Sequence, residues 1–170
     1  MKKIIFIFVF IVINKLYCQE AENQLYDIIN KCFYCVLMYN KENYEKHDNY
    51  KKLSDNYIFI DNFPNGFEFS KKILKFKMKT LNFSNLTEEQ KGKGVFGYYL
   101  ASIEINKNNL TIYINSKSGK INENVFFVGV NSDGYKFELK YNCEKEKWEL
   151  QPPNPNYESK HYEYLYKHWY

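Results

Sequence analysis

The chain has 170 residues, room for one domain with a real core and not for two. Its basic residues are all Lys; it has no Arg, the side chain whose planar fork reads phosphate and guanine edges in pairs. With a formal net charge of only +4, that composition argues against nucleic-acid recognition.

The first residues stand apart from the rest. Lys2 and Lys3 precede the unbroken apolar run Ile4–Ile13, and Asn14–Gln19 is a polar exit. This is the pattern of a secretory signal peptide. The run is too short for a bilayer span, which takes about 20 apolar residues. Cleavage after Cys18 is expected, so no transmembrane segment is expected in the mature chain. The alternative, lipoprotein anchoring through Cys18, calls for small residues where Leu16 and Tyr17 are bulky. The chain therefore divides into a signal peptide (1–18), a single α+β domain (19–151) and a Pro-started, aromatic-rich tail (152–170). Loss of residues 1–18 removes Lys2, Lys3 and Lys15 and no acid, so the balance falls from +4 to +1.

Glu20 to about Asn43 reads as an amphipathic helix. Leu25, Ile28, Ile29, Cys32, Phe33, Val36 and Leu37 form one apolar stripe at a 3.6-residue period, with Cys35 on its flank. Tyr57–Ile60 is a short strand, and Phe63-Pro64-Asn65-Gly66 a turn. Leu74 to Met78 alternates with Lys75, Lys77 and Lys79, which predicts a half-exposed strand with a row of Lys on one face. Thr87-Glu88-Glu89-Gln90 is a capping box, and the helix it opens is expected to end at Gly92.

Hairpins fill the stretch Tyr98–Leu150. Tyr99, Ala101, Ile103 and Ile105 are expected on one face, with Leu110, Ile112 and Ile114 returning after a turn at Asn106–Asn109. Val125–Val130 is a more continuous apolar strand. Asn131-Ser132-Asp133-Gly134 is a turn signal. Tyr135, Phe137, Leu139, Tyr141 and Cys143 then share one face, and a last strand holds Trp148 and Leu150. Pro152, Pro153 and Pro155 end the sheet. The tail is ambiguous: Tyr162, Tyr164 and Tyr166 alternate, whereas Tyr157, His161, Tyr164, Leu165 and His168 fit a helix. Folding back over the sheet is the favoured reading.

Each chemical motif meets a structural objection. Cys32-Phe33-Tyr34-Cys35 has redox spacing, but it lies inside a helix and not at a strand-to-helix junction. In an oxidising compartment a Cys32–Cys143 disulfide pinning helix to sheet fits better; Cys35–Cys143 and Cys32–Cys35 remain open. Gly92-Lys93-Gly94-Val95-Phe96-Gly97 matches a dinucleotide fingerprint, but a helix precedes it and a strand follows, the reverse of what a pyrophosphate needs. His47, His161 and His168 have no partner spacing for zinc, and no nucleophile elbow or HExxH occurs. Glu104, Glu138 and Glu149 could meet as carboxylates, but alternation sends them to the polar face. No catalytic residue, cofactor or metal ligand is assigned.

The stretches Asn85-Leu86-Thr87-Glu88-Glu89-Gln90-Lys91-Gly92-Lys93-Gly94 and Tyr141-Asn142-Cys143-Glu144-Lys145-Glu146-Lys147-Trp148-Glu149-Leu150, with Tyr17-Cys18-Gln19, resemble small uncharacterised exported proteins of Bacteroidota. The resemblance implies export across a Gram-negative inner membrane and brings no activity with it.

The expected fold is α+β: an N-terminal amphipathic helix packed on a mostly antiparallel sheet of about five or six strands, comparable by analogy with cystatin-like or NTF2-like folds. The expected function is that of an exported, periplasmic or extracellular, non-enzymatic protein binding a partner protein or envelope component. The expected surfaces are Lys75, Lys77 and Lys79 and the aromatics Tyr162, Tyr164 and Trp169. The alternatives are a periplasmic immunity or inhibitor protein and, behind it, a hydrolase with an unrecognised carboxylate site.

Overall fold

The computed structural model describes residues 2–45, 56–130, 134–152 and 160–169, with side chains except at 2–19, 44–45 and 160–162. It shows the expected α+β architecture: an N-terminal helix packed on a mostly antiparallel sheet, of seven strands among the described residues.

Helix α1 runs Lys2–Glu45. Its stripe buries Ile28, Ile29, Cys32, Phe33, Val36 and Leu37, and Cys35 on the flank is buried too. Asn30 beside the stripe is buried too, with both amide hydrogens and the amide oxygen bonded. Its Nδ2 donates to the Tyr26 and Glu68 carbonyls, and its Oδ1 accepts from the Ser70 N–H at 2.8 Å. The bonds to Glu68 and Ser70 tie the helix to the loop that follows the Pro64–Gly66 turn.

The sheet runs β2 (Lys79–Leu81), β1 (Tyr57–Phe59), β3 (Val95–Asn106), β4 (Asn109–Asn122), β6 (Tyr135–Asn142) and β7 (Lys147–Leu150); β5 (Val125–Val130) also pairs β4. Strands β1–β2 and β1–β3 pair in parallel, and every other pair is antiparallel. The β3–β4 turn at Lys107 and the β4–β5 turn at Glu123 and Asn124 use positive φ, the conformation tight hairpins require.

A bulge between Leu100 and Ser102 corrects the expected faces of β3. An extra residue flips the alternation of one strand against its partner. Before the bulge Tyr98 and Leu100 face the core, not Tyr99 and Ala101; after it Ile103 returns to the core side, opposite Ile112.

The main core lies between this face and the helices: Leu100, Leu110, Ile112, Ile114, Phe137, Leu139 and Leu150 beneath α1. Helix α4 (Lys160–Trp169) closes it, burying Leu165 and Trp169. The described part of the tail, Lys160–Trp169, thus folds back as a helix, and the alternating reading of its aromatics does not hold there. A smaller core of Phe59, Leu86 and Val95 fills the opposite face.

The motif-like glycines have structural roles. Gly94 ends helix α3 (Glu88–Lys93) at φ +79°, two residues beyond the expected stop at Gly92. At Gly97 a Cβ would meet the Tyr57 carbonyl oxygen at 2.3 Å, so only Gly lets β1 lie against β3.

Candidate functional site

The expected row of Lys does not form. Ser70 opens a helical turn, α2 (Lys71–Leu74), in which the Ile73 and Leu74 N–H groups both donate to its carbonyl. That turn buries Ile73 and leaves Leu74 exposed. Lys75 caps the turn, Lys77 has φ +57°, and Lys79 begins β2. All three are exposed, but they lie in three different backbone settings and share no strand face.

The helix-to-sheet disulfide meets a different obstacle. Cys32, Cys35 and Cys143 are free thiols, the first two buried and Cys143 exposed. Asn142 Oδ1 accepts from the Glu144 and Lys145 N–H groups, so the β6–β7 turn closes at Asn142 and Cys143 leaves the alternation. Burial pushes the Cys32 thiol up and the Cys35 thiol to about 12, which makes both poor nucleophiles. Cys35 donates weakly to the His168 carbonyl at 3.8 Å.

The tail aromatics divide. Trp169 is only 3 % exposed and packs on Phe137, so it belongs to the core and not to a surface. Tyr164 donates to Glu42 and packs on Tyr39. Its phenol is raised by burial first and then by the bond to Glu42. The side chain of Tyr162 lies outside the described residues.

What the structure offers instead is β5. Val125, Phe127, Val128 and Val130 are each 51–57 % exposed, on both faces of the strand. Its inner edge pairs Lys117–Asn122 of β4. Among the described residues no strand pairs its outer edge. Edge strands are ordinarily guarded by Lys, Pro or inward charge, and Val125–Val130 contains none of these. The sequence signal was present in the uncharged, Pro-free run Val-Phe-Phe-Val-Gly-Val; exposure is what converts it from core strand to open edge.

One residue of β5 is anchored. Phe126 lies against Phe83, with ring centroids 6.2 Å apart, and under the Lys91 ammonium. Phe83 is held from below. The Lys117 ammonium sits 4.1 Å from its ring, 4.7 Å from Tyr99 and 5.2 Å from Phe59. Burial lowers the Lys117 pKa while Asp61 raises it, and the net direction is down. Asp61 takes the Phe83 N–H at 2.7 Å and the Ser84 hydroxyl and N–H at 2.7 and 2.9 Å. Burial pushes the Asp61 carboxyl up, but these donors outweigh it and hold the group below the usual range. The strand thus projects from a fixed mount.

Among the described residues no group of three or more His, Cys, Asp or Glu is placed to hold a metal, and no helix is long and apolar enough to cross a membrane. No protein-family model, curated protein or solved structure matches this chain.

Proposed function

We propose that the chain is an exported, non-enzymatic binding protein that takes an extended segment of a partner protein as an added strand on β5. The observation that carries this is the unguarded, uncharged outer edge of Val125–Val130. An edge strand binds another backbone through main-chain hydrogen bonds, and the exposed side chains on its two faces supply selectivity. The favoured occupant is therefore an extended segment with apolar residues at alternate positions, not a folded helix or a polyanion. The basic start and apolar run before Asn14 support export. In that setting the occupant is a protein of the envelope or of the medium beyond it.

The test places a photo-crosslinking amino acid at Phe127 and exposes cells of the native host to light. Mass spectrometry should find the crosslink in one extended segment of one protein. Val128→Lys, which sets a charge on the edge, should abolish it. A crosslink pattern unchanged by Val128→Lys, or none above a control placed on exposed Lys93, removes β5 as the binding edge.

A further inference from the structure

A second site lies at the other end of the sheet, away from β5. A hollow of about 620 Å³ opens between the α1 segment Glu20–Leu25, the β3–β4 turn and the β6–β7 hairpin. That volume falls in the range of small-ligand sites. Its aromatic wall is the cross-strand pair Tyr141 and Trp148, edge to face at 5.3 Å. Ile105, 65 % exposed at the end of β3, adds an apolar wall. Three carboxylates line the rim, Glu20, Glu22 and Glu146, against one ammonium, Lys107. Among the described residues none of the three carboxylates makes an ion pair; the β6–β7 ion pairs use Glu149 instead.

The hollow therefore combines net negative charge with exposed aromatic and aliphatic surface in a chain that is otherwise net positive. The adjoining hollow shows the contact this chemistry favours. It shares Gln24, Glu146 and Trp148, and in it the Lys31 ammonium sits 4.7 Å over the Trp169 ring. An indole face attracts a cation through its quadrupole, and weakly hydrated cations gain most.

We propose that this hollow binds a small organic cation, a quaternary ammonium, with its apolar body against Ile105 and Tyr141 and its charge between the Trp148 face and the Glu20, Glu22 and Glu146 carboxylates. Anions are disfavoured by the rim. A metal ion is disfavoured too, because the hollow offers aromatic carbon where a hard cation needs closely spaced oxygens. A quaternary ammonium suits both halves of the site, since it carries a diffuse charge on an apolar surface.

The test is an NMR titration of the chain from Gln19 onward, the form that export leaves, with choline, following the indole N–H signals of Trp148 and Trp169. The control ligand is dimethylbutanol, the neutral shape-mimic in which carbon replaces the nitrogen. Choline should shift the Trp148 signal and bind about tenfold or more tighter than the neutral mimic. Trp148→Leu should cost about tenfold in affinity. Glu146→Gln, in an exposed turn with no role in the core, should cost about two- to fivefold and leave the Trp169 signal in place. Equal binding of choline and its neutral mimic overturns the proposal. So does a Trp148 signal that stays still with choline at tens of millimolar, or a Glu146→Gln chain that binds as well as the parent.

Discussion

Strand β4 carries two neighbours along one edge. Asn109–Ile114 pairs β6, and Lys117–Asn122 pairs β5. Both neighbours are apolar and antiparallel to β4, yet their surroundings are opposite. On β6, Phe137 and Leu139 are 1 % exposed, while Lys136, Glu138 and Lys140 face outward. On β5, four of the five large apolar side chains are more than half exposed. The difference lies in what crosses above. Helices α1 and α4 meet over the β6 half and bury Ile112, Ile114 and Phe137 against Leu165 and Trp169. Beyond Ser116, β4 continues with Ser118, Lys120 and Asn122 on that same face, and its side chains turn polar where the helical cover ends. On this face polar β4 beside apolar β5 is a poor arrangement for an internal core and a workable one for an edge that receives a partner.

The largest expected effect sharpens the covered half. Phe137→Ala removes a fully buried ring that packs on Trp169 and should cost about 3–5 kcal/mol. Urea unfolding followed by circular dichroism measures it. A loss under about 1 kcal/mol would mean that α4 does not close the core over β6.

The second effect tests the mount beneath β5. Asp61→Asn removes a charged acceptor from three donors and should cost about 1–2 kcal/mol at neutral pH. The sign with pH follows from the direction of the shift. A carboxyl held below its unfolded value of about 4 stabilises the fold above that pH. The contribution fades as pH falls through the folded-state value. The gap between parent and variant should therefore be full near neutrality and close in acid. A gap that is constant down to pH about 2 would show that the charge on Asp61 does not hold the Phe83 turn.

Most of the elements were legible in the sequence, and the exposure of β5 was not. The α1 stripe repeats at 3.6 residues over four turns, and few other structures satisfy that pattern. The Thr87 capping box needs only four residues, and both of its bonds are present. Three local readings failed, one to a tertiary contact and two to local backbone features that the alternation does not announce. The Leu74–Lys79 alternation fits a strand, but Ile73 buried in the core with α1 fixes a helical turn there. The face of β3 depended on a bulge at Ala101 that no Gly or Pro announced. Cys143 sat one residue past an Asn that caps its own turn. β5 was legible as a strand but not as a surface, because a continuous apolar run reads alike whether or not something covers it.

A smaller effect probes the flank of β5. Thr87 Oγ1 accepts from the Gln90 N–H, and Gln90 Oε1 accepts from the Thr87 N–H. Thr87→Ala should cost about 1 kcal/mol. Helix α3 places Lys91 over the Phe126 ring, so hydrogen exchange should quicken in α3 and β5 together and stay unchanged in β6. Faster exchange in α3 alone would separate the helix from the support of β5.

The smallest effect on stability bears hardest on the comparison. Val128→Lys exchanges a half-exposed apolar residue on an edge for the charge most often used to guard edges. Val128 is half exposed among the described residues, where Phe137 lies under Trp169, so the unfolding free energy read from urea melts should change by no more than about 0.5 kcal/mol in either direction. The same exchange at Leu139, 1 % exposed on β6, buries an unpaired ammonium and should unfold the chain. Two strands on one edge of β4 would then answer one substitution in opposite ways. If Val128→Lys instead destabilises by several kcal/mol, β5 is covered in solution by the chain itself, and the binding edge proposed for it is occupied before any partner arrives.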